Sequence, residues 1–117
     1  MQAEVIKTFR FEAAHSLQSA PPGHKCRRLH GHSYRVEVGA KDLAALHLPL
    51  RDLYGAVDHR CLNDVPGLER ATCEIMCQWI WDHLAPSVPD LDVVIVRETD
   101  TARCVYLGPE TDGSPAA

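Results

Sequence analysis

No run of apolar residues in this 117-residue chain approaches the roughly 20 needed to cross a bilayer as a helix. The opening stretch MQAEVIKTFRFEAAH is interrupted by charges throughout and lacks the apolar segment of a secretion signal, so no signal peptide is expected. Cations are not in excess. Twelve Lys and Arg stand against 16 Asp and Glu, a net charge of −4, so neither nucleic acid nor a membrane surface is an expected partner. An anionic ligand would have to meet a local cluster, and Lys25, Arg27 and Arg28 form the densest one. No two cysteines have C-x₂-C spacing, and their number, five, is odd. Without a secretion signal, that pattern predicts reduced thiols and a cytoplasmic protein rather than a disulfide framework. Internal repeats and linkers are also missing, so residues 1–108 are expected to form one domain and 109–117 a disordered tail.

What is present is alternation. Over residues 4–15, Val5, Phe9, Phe11 and Ala13 share one parity with His15, while Glu4, Thr8, Arg10 and Glu12 take the other, which predicts a strand. Residues 16–29 contain Pro21-Pro22-Gly23 and predict a loop. A second strand follows in HGHSYRVEV, where His30 and His32 share the parity of Tyr34, Val36 and Val38. Residues 42–56 predict a helix with Asp42 as N-cap and Leu43, Leu46, Leu50 and Leu53 as its stripe, although Pro49 is expected to kink or split it. The stretch DHRCLNDVPG predicts a loop. A second helix should start at Thr72 and stop at Pro86. Strands at 91–98 and 103–107 complete the order ββααββ. That is an α+β fold, too short to close a barrel alone, so exposed sheet edges or oligomerisation are expected.

The chemistry concentrates in GHKCRRLHGHS, residues 23–33. Two imidazoles at i and i+2 of one strand lie on one face, and His15 on a neighbouring strand would make a third ligand. Three neutral imidazoles with an open position form the usual catalytic zinc site. Zinc is preferred to iron because no carboxylate belongs obviously to the triad. Cys26 lies in a loop beside three cations, which favour a thiolate and make it a candidate base or nucleophile; the lesser alternative is a fourth ligand that closes the site. Asp58 and His59 form a carboxylate–imidazole pair, or merely cap a loop. Glu98 has the parity of Val94 and Val96 and should be partly buried, needing either a ligand with several N–H donors or a nearby arginine. Cys73 and Cys77, at i and i+4, read as small buried helix residues, as do Cys61 and Cys104 elsewhere.

This set of residues resembles the 6-pyruvoyl-tetrahydropterin synthase family, above all its bacterial branch, the 6-carboxy-tetrahydropterin synthases of queuosine and deazapurine biosynthesis. The stretches that carry the resemblance are FEAAHSL, GHKCRRLHGHS, DHRCLND, PGLERATCE, WIWDHL and VRETDT…CVY, in order along nearly the whole chain. The resemblance implies a tunnelling fold: ββααββ with an antiparallel sheet, two helices on one face, and a barrel closed by a trimer that often doubles to a hexamer. It implies zinc on His15, His30 and His32. Cys26, Asp58 and His59 would transfer protons, the last two from a neighbouring subunit. Glu98 would anchor the pterin's guanidine-like edge, with Thr99 beside it. The implied reaction converts 7,8-dihydroneopterin triphosphate to 6-carboxytetrahydropterin, acetaldehyde and triphosphate. Lys25, Arg27 and Arg28 are assigned to the triphosphate on charge alone, and His24 to the product carboxylate.

The chain departs from the family at one place. VEVGAKDLAAL runs directly from strand to helix, without the roughly dozen-residue hairpin the family usually inserts, and no candidate site residue is lost with it. Two other readings stand beside the lyase: a 6-pyruvoyl-tetrahydropterin synthase that removes triphosphate without cutting the side chain, and a non-catalytic zinc- or pterin-binding paralogue.

Overall fold

The computed structural model describes residues 5–18 and 20–110. Most of the expected tail, from Thr111 onward, lies outside the described residues. The long alternating stretches form β1 (Ile6–His15) and β2 (His30–Gly39), antiparallel over their whole lengths. Phe9 lies opposite Val36, Phe11 opposite Tyr34, Ala13 opposite His32, and His15 opposite His30. Opposed residues share a face, so one face of this ribbon runs from phenyl and valyl groups to three imidazoles.

Between the two halves of the sheet lie α1 (His47–Val57), the two-residue strand β3 (Arg60–Cys61) and α2 (Cys73–Leu84). The chain then returns as β4 (Val93–Arg97) and β5 (Arg103–Tyr106), giving the sheet order β3-β1-β2-β4-β5. The sheet is open, with Val105 and Leu107 exposed at its β5 end. Both helices cover one face. Phe11, Tyr34, Val36, Val38, Val94 and Val96 meet Leu46, Leu50 and Leu53 from one helical segment and Met76, Cys77, Ile80 and Leu84 from the other.

Three expectations need correction. The sheet is mixed, not antiparallel, because Arg60 and Cys61 pair parallel to Ala13 and Ala14 in a stretch expected to be loop. Two residues cannot display a period of two, so this strand leaves no pattern in the sequence. Neighbouring hydrogen bonds dock it instead: Glu12 N donates to Asp58 Oδ1 at 3.0 Å, and His59 N donates to Glu12 O at 2.6 Å. The expected helix over 42–56 is also not uniform. Asp42 caps a 3₁₀ turn, Leu43–Leu46, by accepting from Ala44 N at 3.1 Å, and the α-helix begins only at His47. Pro49 falls in the first turn of α1, where backbone N–H groups lack helical acceptors, and the split expected of this segment lies just before it, between Leu46 and His47. Thr72 caps α2 as expected, accepting from Ile75 N at 3.3 Å. Val5, expected on the apolar face, is exposed.

Tyr34 is fully buried, yet its hydroxyl has no hydrogen-bond partner among the described residues. A buried hydroxyl left unpaired costs about 1–3 kcal/mol. Tyr34→Phe should therefore leave stability unchanged or raise it, as read from urea unfolding midpoints. A loss above about 1 kcal/mol would mean that the hydroxyl has a protein partner after all.

Candidate metal centre

The β1–β2 register brings His15, His30 and His32 together, with one nitrogen of each within 4.8 Å of the others. Their rings meet edge to face, at centroid separations of 4.6 to 5.1 Å. His15 is fully buried, and His32 and His30 are partly so. The decisive detail is tautomeric. His15 Nδ1 lies 2.8 Å from the Ala71 carbonyl, and His30 Nδ1 lies 2.8 Å from the Arg28 carbonyl. A carbonyl oxygen can only accept, so both rings carry their proton on Nδ1. That leaves Nε2 of each ring as a bare lone pair, yet the two Nε2 atoms face one another at 3.0 Å. Two acceptors at that distance repel unless a cation lies between them. A proton shared between the rings or a metal ion bound by both would resolve the conflict, and three convergent imidazoles fit a metal better than a single proton.

The electrostatics favour ligands that stay neutral. Burial pushes the His15 pKa below the ordinary imidazole value of 6.5, and the neighbouring His30 and His32 add to the shift against the Ala71 hydrogen bond. Burial, then His30, lowers His32 in the same direction. Neutral imidazole is the metal-binding form.

The remaining candidates are distributed around this triad. Cys26 is half-buried in a 3₁₀ turn, Lys25–Arg27, which the His24 side chain caps by accepting from Cys26 N at 3.1 Å. Leu17 N donates to Cys26 O at 2.8 Å and ties this loop to the end of β1. Cys26 does not join the three-histidine cluster, so the arrangement keeps an open position rather than a closed four-ligand site. Arg27 turns back on its own loop, with Nη1 donating to Ala20 O at 3.2 Å and Nη2 to Gln18 Oε1 at 3.3 Å. Lys25, Arg28 and His24 are exposed.

Asp58 and His59 are a hydrogen-bonded pair, His59 Nδ1 donating to Asp58 Oδ2 at 2.8 Å. The Glu12 N–H, and then the His59 and Tyr54 side chains, hold the Asp58 carboxyl below its ordinary value. His59 has φ 56°, a left-handed conformation uncommon for a residue with a Cβ, and its ring is largely exposed. Neither residue belongs to the histidine cluster of the same chain.

Glu98 directly follows β4, half-buried, and Thr99 beside it is exposed. Burial raises the Glu98 carboxyl above the usual range, Glu74 adds to the shift, and His30 opposes it. The neighbouring arginine does not neutralise it, since Arg97 Nε turns to Glu37 Oε1 at 3.2 Å. A ligand presenting several N–H donors would draw Glu98 into its ionised form. Cys73 and Cys77 are the small packing residues expected, with thiols donating to Val96 O at 3.3 Å and Val94 O at 3.8 Å. Burial, and then Glu98, pushes the Cys73 thiol up to about 12.

Sequence reasoning missed the supports. Ala71 acts through its carbonyl, which no side-chain pattern reveals. Asn63 ties the exit of β1 to the following loop, its Oδ1 accepting from Ser16 N at 2.8 Å and its Nδ2 donating to the carbonyls of Ser16 and Glu69 at 3.0 Å each.

The family model described as 6-pyruvoyl tetrahydropterin synthase matches residues 4–109. The 6-carboxy-5,6,7,8-tetrahydropterin synthase of Synechocystis sp. is 40% identical over 124 aligned residues, covering 90% of this chain and 93% of that protein. The 6-pyruvoyl tetrahydrobiopterin synthase of Dictyostelium discoideum is 35% identical, covering 72% of this chain and 74% of that one. Among solved structures, the 6-pyruvoyl tetrahydropterin synthase of Caenorhabditis elegans superposes with a TM-score of 0.81 at 24% identity, over 92% of this chain and 96% of that one, a likeness of fold.

The three convergent histidines predict that the purified protein binds a divalent metal ion stoichiometrically and that His32→Ala loses it, as read by elemental analysis. Full occupancy in that variant would refute the three-histidine site. Because protons compete for the same lone pairs, zinc affinity should fall as pH drops through the histidine range.

Proposed function

The chain belongs to the 6-pyruvoyl tetrahydropterin synthase family, and from that premise we propose that it is a zinc-dependent 6-carboxytetrahydropterin synthase. The substrate would be 7,8-dihydroneopterin triphosphate, and the products 6-carboxytetrahydropterin, acetaldehyde and triphosphate, made for queuosine or another 7-deazapurine. The observation that carries the reading is the pair of Nε2 atoms 3.0 Å apart, on rings whose Nδ1 atoms face carbonyls, backed by a third histidine. Similarity to a relative of the carboxy branch over nine-tenths of the chain supports the choice of product.

His15, His30 and His32 would hold the zinc ion, which when bound supplies Lewis acidity toward the substrate's side-chain hydroxyls. Glu98, with Thr99 beside it, binds the pterin: its carboxyl is half-buried at the end of β4, Arg97 is turned to Glu37 instead, and the N–H donors of a ligand would pair it. Cys26 and His59 move the protons. Asp58 fixes the His59 tautomer by accepting from Nδ1, leaving Nε2 to take or give a proton. The triphosphate is assigned to Lys25 and Arg28, with Arg27 bracing the loop that presents them, and the product carboxylate to His24. Asp58 and His59 are not part of the three-histidine cluster of their own chain, and the reading has a neighbouring subunit bring its own pair to this zinc. A trimer-based barrel closed through the open sheet edges, alone or stacked to a hexamer, would do so.

The relative named for 6-pyruvoyl chemistry supports a second reading, elimination of triphosphate without cleavage of the side chain. Mass spectrometry of the products from zinc-loaded protein and 7,8-dihydroneopterin triphosphate separates the two. A 6-carboxy product with stoichiometric acetaldehyde is expected, and a 6-pyruvoyl product would move the chain to the sister activity. Absence of any product from a zinc-loaded, pterin-binding protein would make it a non-catalytic paralogue. Within the lyase, Cys26→Ala should keep zinc and pterin binding but lose turnover by about 10²-fold or more; unchanged turnover would remove Cys26 from the mechanism. Glu98→Ala should weaken pterin binding most, measured by fluorescence titration, and an unaltered affinity would return Glu98 to a structural role.

A further inference from the structure

The alternation that gathers histidines on the helix-covered face gathers arginines on the other. Arg10 lies opposite Arg35, Arg35 opposite Arg97, and Arg97 opposite Arg103. Directly opposed residues point the same way, so four guanidinium side chains form one row across β1, β2, β4 and β5, spaced by the roughly 4.8 Å between strands. Their sequence neighbours Phe11, Tyr34, Val36 and Val96 are buried beneath the helices, which places the row on the helix-free face.

The row is under-neutralised. Among the described residues, Glu37 Oε1 is its one carboxylate partner, 3.2 Å from Arg97 Nε and 3.7 Å from Arg35 Nε. Among the described residues Arg10 and Arg103 have no carboxylate within 4.0 Å. The nearby Glu12 accepts from the Ser33 hydroxyl through both oxygens, at 2.8 and 2.7 Å. Like charges directly opposed across strands destabilise a sheet, and a chain of net charge −4 has no surplus of cations to dispose of. Arg10, Ser33, Arg35 and Arg97 also line a concavity of about 440 Å³, bounded at its far end by Glu98, Thr99 and Asp100. That volume suits a small ligand, and guanidinium forks match oxyanions in bidentate fashion.

We propose that this groove is a binding site for a small molecule carrying several phosphates in line, held between Arg10, Arg35 and Arg97 with Arg103 continuing the row. One phosphate would occupy two guanidinium groups; a row of four asks for more than one anionic group. Asp100 and the Glu98 carboxylate repel an anion from the far end, so the phosphates lie toward Arg10 and Arg35. The arginine row lies on the sheet face opposite the histidines, the groove reaches Glu98 and Thr99, which the proposed function assigns to the pterin, and its anion binding does not depend on the chain turning over a pterin.

Inorganic triphosphate is the probe, titrated calorimetrically into the full chain at low salt, without turnover. Binding should weaken about tenfold or more in Arg35→Gln, the loss of one charge-assisted pair, and should fall steeply with added salt. It should be unaffected in Lys25→Ala/Arg28→Ala, which removes the loop assigned to the triphosphate of the proposed reaction. Without ligand, Arg35→Gln should melt higher than the wild type at low salt, because it relieves repulsion along the row. Equal binding in wild type and Arg35→Gln, loss only in the loop variant, or no binding by the wild type at millimolar triphosphate would each overturn the proposal. Should Arg35→Gln fail to fold, Arg10→Gln, at an exposed position with no ion pair among the described residues, gives the same comparison.

Discussion

Two imidazole lone pairs held 3.0 Å apart are the constraint around which the rest of the histidine site is organised. Neither ring can escape by changing tautomer, because each Nδ1 proton is committed to a carbonyl, of Ala71 in one case and Arg28 in the other. Rotating either ring would leave a polar group unpaired, and His15 is fully buried. The contact is one that a shared proton or a bound cation would relieve, and the two carbonyls orient the rings as outer partners orient metal-binding imidazoles.

The contact exists only because two remote pieces of chain are held in register. His15 and His30 end a ten-residue ladder whose rungs on the same face include Phe11–Tyr34 and Phe9–Val36. A one-residue slip would send His30 and His32 to the opposite face together with Tyr34, Val36 and Val38. The hydrophobic core thus fixes the histidine cluster: the helices cover Phe11, Tyr34 and Val36, and a slipped register would expose them. The Ala71 carbonyl is brought in by the short segment before Thr72, whose cap starts α2.

Most of this was legible before the structure, and the failures have physical reasons. Parity along FEAAH and HGHSYRVEV predicted both long strands and the inward direction of all three histidines, because a half-buried strand writes its period into its residue types. Asp42 and Thr72 announced helix starts through side-chain caps. Leu43–Leu46 was read as α-helix because 3₁₀ and α turns share nearly the same apolar spacing. The parallel strand Arg60–Cys61 was read as loop because docking on Glu12 depends on backbone atoms and on the Asp58 carboxylate, not on periodicity. The supporting carbonyls belong to the same class of invisible groups. The arginine row was missed for a different reason: each arginine is unremarked in its own strand, and only the pairing of segments some 60 residues apart aligns them.

The two faces of the sheet are consequences of one pattern. In a strand with period two, each residue that helps bury Phe11 or Tyr34 sends its neighbour to the helix-free side, so whatever occupies those alternate places must suit that side instead. Here those places hold Arg10, Arg35 and Arg97, with Glu37 shared between two of them. Solubility alone would be met by mixed charges, and mixed charges would avoid the repulsion of opposed guanidinium groups. Each face consequently carries a local electrostatic conflict: lone pair against lone pair on one, cation against cation on the other. Each conflict is relieved by a charge of the opposite kind, a cation at the histidines and an anion at the arginines. Neither relief is available from the chain's own described side chains, since His15, His30 and His32 converge without a carboxylate and Glu37 is outnumbered in its row.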